Sequence, residues 1–233
     1  MAMKSPSKLV WGNWSLEPDE MWGIEKAEEL HKEFHDEWDP DQELYTDVLE
    51  ALDGLFQGTK GEDSTKPKVW RFLTKWGHVP PFRFSRSDSD RMVEKLKRHH
   101  DSLINCFRSR FTIMCDLSEK VTIRGDTRTV AGWMQFLLRD VSEVGHSRQV
   151  VATSKLLHAS IPRLYVMFDN PICETFFGTS ATAQTYCGLF LPLAKAQIEL
   201  LREAGLSPDP NKVCRDNWAK FIDEMNWTWA NRR

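Results

Sequence analysis

Few features of this sequence assign it to a protein class at once. The five cysteines are odd in number and form no CxxC pair, which argues against a disulfide framework or a zinc ribbon and favours a reducing, intracellular setting. Glycine and proline, at 12 and 11 of 233 residues, are too few for a collagen-like or low-complexity chain. The chain does not open with an apolar leader, and no apolar run reaches the roughly 18 residues of a membrane span. GxGxxG, Walker and HExxH motifs are also missing.

Hydrophobic residues make up 41% of the chain and charged residues 28%, which is enough to build a core and a soluble surface. The apolar residues recur at three- and four-residue spacings, and the alternating pattern typical of strands is missing. We therefore predict an all-α fold, a single compact domain of about eight helices. Within it we expect an extended arm over 1–16, an acidic helical pair over 17–56, a flexible loop over 57–67 and a basic helical core over 68–233.

The charge is strongly polarised, although the net charge is only −3. Residues 17–53 hold fifteen acidic and two basic side chains, whereas residues 66–128 hold fifteen basic and seven acidic ones. This asymmetry favours an anionic partner for the basic stretch, while the two segments could equally pack together and neutralise each other. In the first case we expect the acidic segment on the far side of the molecule, where it could bind a protein partner.

The most informative segment covers residues 141–178. A predicted helix ends at Val144-Gly145, a second helix covers 147–160, and an apolar stretch then leads to Asp169 at the start of a further helix. This order resembles the hairpin and catalytic-aspartate segment of the helix-hairpin-helix DNA glycosylase superfamily.

The resemblance implies an enzyme that flips a base out of double-stranded DNA and hydrolyses its N-glycosidic bond. Asp169 would stabilise positive charge at C1′. Lys155 and His158, which share one helix face, would approach that aspartate or carry a proton. Because no lysine follows the hairpin glycine directly, the enzyme would be monofunctional, and neither a cofactor nor a metal ion is implied.

Each of these three residues also has a structural interpretation. Asp169 is a good helix N-cap, Lys155 could pair with a carboxylate, and His158 could lie at the edge of the core. The competing hypothesis for the whole chain is a non-catalytic helical module that binds nucleic acid or protein, with the pattern from Ser154 to Asp169 serving the fold alone. We expect no contact with a membrane.

The same resemblance implies contacts to DNA. Backbone N–H groups at the hairpin would bind a phosphate, together with Gly145, Ser147 and Arg148. Basic side chains of the central region would add sequence-independent affinity, and these are Lys95, Lys97, Arg98, Arg108 and Arg110. Trp76 could stack on an unpaired base, although tryptophan more often belongs to a core.

One further pair of residues has a spacing that permits metal binding. His31 and His35 lie four residues apart on a predicted helix, and such histidines can hold an ion. Because that helix is acidic and amphipathic, we expect solvated surface histidines instead.

Overall fold

The computed structural model is mainly α-helical, as the sequence predicts. The residues that it describes are 9–11, 14–16, 24–38, 42–76, 79, 84–144, 147–206 and 217–232. In these parts of the chain, no helix combines the length and the apolar character needed to cross a membrane.

The elements of these residues are helices with three short antiparallel ribbons between them. The helices are α1 (Ile24–Glu33), α2 (Gln42–Phe56), α3 (Glu62–Arg71), α4 (Arg86–His99), α5 (Asn105–Arg110), α6 (Val130–Ser142), α7 (Val150–Ser160), α8 (Asn170–Phe177), α9 (Ala183–Thr185), α10 (Leu191–Glu203) and α11 (Trp218–Asn231). Wider π-helical turns extend four of them, at Phe34–Trp38, Phe72–Trp76, His100–Ile104 and Tyr186–Phe190. The ribbons pair β1 (Leu9–Trp11) with β2 (Trp14–Leu16), β3 (Lys120–Ile123) with β4 (Asp126–Thr129), and β5 (Glu143–Val144) with β6 (Ser147–Arg148).

Helix α6 forms for the reason that the sequence suggests. Its apolar residues at three- and four-residue spacings form the buried face: Val130, Trp133, Met134, Leu137, Leu138 and Val141. Thr129 caps the helix by accepting a hydrogen bond from the backbone N–H of Gly132 at 3.0 Å. The Trp133 indole N–H donates to the Val121 carbonyl at 2.9 Å, which fixes the β3–β4 ribbon against the helix.

Two segments expected to be irregular are partly regular. The prediction of a flexible loop over 57–67 is wrong from Glu62 onward, because α3 begins there. Acidic residues in its first turn complement the helix dipole. The buried side chains of the helix are Thr65 and Val69, so it packs on the protein through small side chains. The expected arm over 1–16 contains the paired strands β1 and β2 where the structure describes it.

Helix, hairpin and helix follow one another in the predicted order. Helix α6 is followed by the β5–β6 ribbon, and α7 then begins at Val150 with Gln149 as its N-cap. The second helix therefore starts three residues later than the sequence predicts, because Ser147 and Arg148 form strand β6, which pairs with β5. Gly145 lies outside the described residues.

Helix α7 is buried along almost its whole length, and its polar side chains are buried with it. Ser154 Oγ lies 2.9 Å from the Phe168 carbonyl and accepts from the Phe168 N–H at 3.2 Å. His158 Nδ1 lies 2.5 Å from the Tyr165 carbonyl, and because a carbonyl only accepts, Nδ1 carries the proton. His158 Nε2 then accepts from the Tyr45 hydroxyl at 2.7 Å. The bonds to Phe168 and Tyr165 hold the extended segment between α7 and α8 against α7. The bond from Tyr45 joins α7 to α2.

The acidic and basic segments pack against each other. Helix α2 lies along α3, Asp47 pairs with Lys68 at 3.0 Å, and Asp53 pairs with Arg108. The expectation that the acidic segment lies on the far side is therefore wrong for α2. The apolar face of α2 packs against α3, and this packing brings the acidic side chains beside that face close to basic residues. Such partly exposed pairs contribute little to stability.

Helices from the two ends of the chain also meet. Helix α11 packs against α1 and contacts α8. Arg232 pairs with Glu29 at 2.9 Å and with Glu33, both on α1. This interface holds buried charged side chains from distant parts of the sequence.

The hydrogen bond from the Tyr45 hydroxyl to His158 on α7 gives a stability prediction for Tyr45→Phe. Removing the hydroxyl leaves His158 Nε2 buried without that donor, so we expect the free energy of unfolding to fall by about 1–3 kcal/mol. Urea denaturation at pH 7 measures the change. The control Ser109→Ala removes an exposed hydroxyl, and we expect a change of at most about 0.5 kcal/mol. Equal effects of the two substitutions would contradict the assigned hydrogen bond.

Candidate active site

Three charged side chains from three helices come together beneath the surface. Lys155 on α7 is 6% exposed, Asp169 at the start of α8 is 8% exposed, and Asp223 on α11 is 5% exposed. Burying charge is costly unless partners compensate, and residues of this kind are seldom buried. A buried group of ionisable side chains that includes one with a strongly shifted pKa is a candidate functional site.

Asp169 occupies the position that the sequence predicts. It is the N-cap of α8, and its side chain accepts from the Ile172 N–H at 3.1 Å. The cap satisfies a backbone donor at the helix start and brings the carboxylate close to the helix dipole. The structural interpretation of Asp169 is therefore confirmed, and a second role for its carboxylate stays a prediction.

Asp223 has the most unusual protonation behaviour of the three. Burial raises its pKa from 3.8 to about 7, while the Lys220 and Lys155 ammonium groups oppose the shift and the Glu224 and Asp169 carboxylates add to it. This carboxyl group therefore exchanges its proton near neutral pH, which suits a general acid or base. The electrostatic influence of Lys155 and Asp169 on it indicates that the three charged groups are neighbours.

A second group of charged side chains adjoins Asp223 on α11. Glu224 is fully buried, and its Oε1 lies 2.8 Å from Lys220 Nζ. Glu224 Oε2 lies 2.9 Å from His31 Nε2 and 3.3 Å from His35 Nε2. Although burial alone would raise the pKa of Glu224, the Lys220 ammonium and hydrogen bonds from the two histidines hold it well below its usual value.

The expectation that His31 is a solvated surface residue is wrong, because α11 covers this side of α1 and leaves the residue only 7% exposed. Sequence reasoning missed Lys220, Asp223 and Glu224 altogether. The sequence does contain a signal for them: Asp223 and Glu224 follow Lys220 by three and four residues, on a helix otherwise rich in apolar residues.

His158 has a different role from the one expected. The residue is fully buried, and desolvation, the main cause, lowers its pKa from 6.5 to about 3. A proton taken up at Nε2 would displace the hydrogen bond that this atom accepts from Tyr45 and place a charge in the core, so the ring stays neutral near pH 7. The structure therefore contradicts a proton-carrying His158 and supports its structural interpretation.

Most of the basic side chains predicted to bind phosphate already have partners within the protein. The Lys95 ammonium group donates a hydrogen bond to the Asp140 carbonyl, whereas the sequence predicts a contact with a DNA phosphate. Three others form ion pairs, and these are Lys97 with Glu62 at 2.8 Å, Arg108 with Asp53, and Arg110 with Glu119 at 3.2 Å. Arg98 is exposed. These pairs arise because acidic residues of neighbouring elements lie opposite the basic face.

The predicted hairpin contacts are less favourable than the sequence suggests. Val150 and Ala152 in the first turn of α7 are buried, so few of its N–H groups can face a phosphate. The side chains of Ser147, Arg148 and Trp76 lie outside the described part of the structure, and their predicted roles stay predictions.

A surface cavity of about 220 Å³ lies over α6. Arg128, Arg139, Asp140 and Glu143 line it with both signs of charge, and Asp169 does not line it. This cavity is therefore not a binding cleft around Asp169.

The shifted pKa of Asp223 gives a pH prediction for Asp223→Asn. The folded state binds more protons than the unfolded chain between about pH 4 and about pH 7, so the carboxyl group lowers stability as pH rises through that interval. We expect the variant to gain stability relative to wild type from about pH 4 to about pH 7, by at most about 4 kcal/mol, and no further gain above that.

Urea denaturation at a series of pH values measures this difference. The wild-type curve alone is ambiguous, because His158, with its pKa lowered to about 3, raises stability with pH over part of the same interval. Both proteins contain His158, so its contribution cancels in the comparison. Asp101→Asn, at an exposed aspartate, serves as control. A pH-independent difference for Asp223→Asn would show that Asp223 titrates normally.

Comparison of the chain with protein-family models, with curated proteins and with solved structures gives no match.

Proposed function

We propose that Lys155, Asp169 and Asp223 form the catalytic centre of an enzyme that hydrolyses the N-glycosidic bond of a base flipped out of DNA. The observation that carries the proposal is the burial of two carboxyl groups beside one ammonium group, one of the carboxyl groups with its pKa raised to about 7. Glycoside-bond hydrolysis commonly uses two carboxyl groups in different protonation states.

The chemistry divides between the two aspartates. As the C1′–N bond breaks, its electron pair leaves with the base and positive charge develops at C1′, which the Asp169 carboxylate stabilises. A water oxygen bonds to C1′, and its proton passes to the Asp223 carboxylate. Lys155 offsets part of the negative charge of the two carboxyl groups. The departing base takes its proton from solvent.

Access to this centre requires movement. All three side chains are more than nine-tenths buried, so the sugar can reach them only when a covering segment opens. An enzyme that flips a base binds the duplex first and moves the nucleotide into its pocket afterwards. The covering segment could open during that second step. Exposed Arg98 and the hairpin around Ser147 and Arg148 would hold the DNA backbone.

A second candidate is a non-catalytic helical module. It is favoured by the ion pairs that occupy Lys97, Arg108 and Arg110, because they reduce the charge available to a duplex. In that case the buried charged group would serve only to fix the packing of α7, α8 and α11.

The test is base release by wild type, Asp169→Asn and Asp223→Asn. The proteins are incubated with duplexes containing deaminated, alkylated, oxidised or enzymatically modified bases, and abasic sites are counted. We expect wild type to release at least one base, with a rate that rises as pH passes through about 7, because Asp223 must be ionised to accept the proton. Asp169→Asn still caps the helix, so its stability changes by no more than about 1 kcal/mol while release is abolished.

Asp101→Asn is the matched control, since it removes an exposed carboxylate and should leave release unchanged. Folding of each variant is verified by its unfolding midpoint. Failure of wild type to release any base, combined with no retention of DNA at low salt, would leave only the helical-module hypothesis. Full activity of a folded Asp169→Asn would remove Asp169 from the mechanism.

A further inference from the structure

Three potential metal ligands converge where α1 meets α11. The Nε2 atoms of His31 and His35 lie 3.3 Å apart. Glu224 Oε2 lies 2.9 Å from the first and 3.3 Å from the second. The three atoms therefore form a nearly equilateral triangle built from two elements that are almost two hundred residues apart.

The size of this triangle matches the coordination sphere of a metal ion. Zn–N and Zn–O bonds of roughly 2.0–2.1 Å in a tetrahedral site place neighbouring ligand atoms roughly 3.3 Å apart. In the ion-free structure both rings hydrogen-bond to Glu224 Oε2, and their Nε2 atoms then meet at 3.3 Å along the third edge. A metal ion would replace both ring protons and remove this close approach of two N–H groups. Geometry points to a shared ion at the centre.

The backbone around the histidines supports the same interpretation. His31 belongs to α1, and His35 lies in the π-helical turn Phe34–Trp38 that follows it. Residues four apart lie on one side of a helical segment, and the two imidazole rings meet edge to face with their centroids 4.6 Å apart.

The outer shell holds the ligands in place. Lys220 Nζ lies 2.8 Å from Glu224 Oε1, so it orients the carboxylate and leaves Oε2 for the ion. The Lys220 ammonium itself lies over the rings of Phe34 and Tyr45, at 5.0 and 4.9 Å from their centroids. Groups that orient the ligands in this way normally accompany metal sites.

We propose that His31, His35 and Glu224 bind a divalent transition-metal ion, with Zn²⁺ as the expected occupant. Two imidazoles and one carboxylate are typical of zinc sites, and three protein ligands leave a position for water. The His35 side chain is 22% exposed, which provides an entry route for the ion. The site is separate from the proposed glycosidic-bond chemistry and does not depend on it.

The experiment uses the full chain freed of metal by a chelator and then titrated with Zn²⁺ in a calorimeter. We expect one ion per chain, and a rise in the unfolding midpoint when Zn²⁺ is added, because the ion binds only where α1 and α11 are docked. His35→Asn, at the partly exposed ligand, should weaken binding at least about 100-fold.

The matched control is His99→Asn. His99 lies 3.0 Å from Asp140 on the surface, so it tests whether any histidine beside a carboxylate takes up zinc. We expect this variant to bind as wild type does. Equal binding by wild type, His35→Asn and His99→Asn would overturn the proposal, and so would the lack of stoichiometric uptake by wild type.

Wild type alone provides a second measurement, which does not depend on how a variant folds. Co²⁺ in place of Zn²⁺ should give the intense visible absorption of a four-coordinate ion. A weak spectrum equal to that of aqueous Co²⁺ would contradict binding at these three ligands.

Discussion

The exclusion of water from α7 is the constraint on which the rest of the structure depends. A helix surrounded on all sides needs partners for the polar side chains that it carries, although the buried Thr153 hydroxyl makes no hydrogen bond within the described residues. Ser154 and His158 obtain theirs from the segment that follows the helix, through Phe168 and Tyr165. That segment is held again by the Tyr186 hydroxyl, which bonds both the N–H and the carbonyl of Val166. These hydrogen bonds fix residues 165–168, and they therefore also fix the position of Asp169, which follows directly.

The buried charges extend this constraint to both ends of the chain. A single buried ammonium or carboxylate would be prohibitively costly, so Lys155 and Lys220 require the carboxyl groups of Asp223 and Glu224 on the last helix. Histidines of the first helix complete the arrangement. The proposed catalytic and metal sites are two neighbouring parts of one compensated network, joined by consecutive residues of α11.

Sequence patterns predicted the local features well and the long-range ones poorly. The buried face of α6 and the cap at Asp169 follow from spacing and residue type within a few positions. The first part of α3, from Glu62 to Pro67, was predicted to be loop because it contains no large apolar side chain. The pairing of His31 with Glu224, and of Arg108 with Asp53, could not be foreseen, because a single sequence contains no information on which distant helices meet. For the same reason, Lys97 and Arg110 looked available to a ligand although their partners lie elsewhere in the chain.

The meeting of α1 and α11 has a consequence for how the protein is made. A nascent chain leaves the ribosome from its N-terminus and tends to fold as it emerges. Here Lys155 and Asp169 emerge before the helix that holds Asp223, and His31 waits for Glu224 through most of synthesis. The central charges must stay hydrated until α11 has emerged, so this part of the core closes only after that helix has been synthesised.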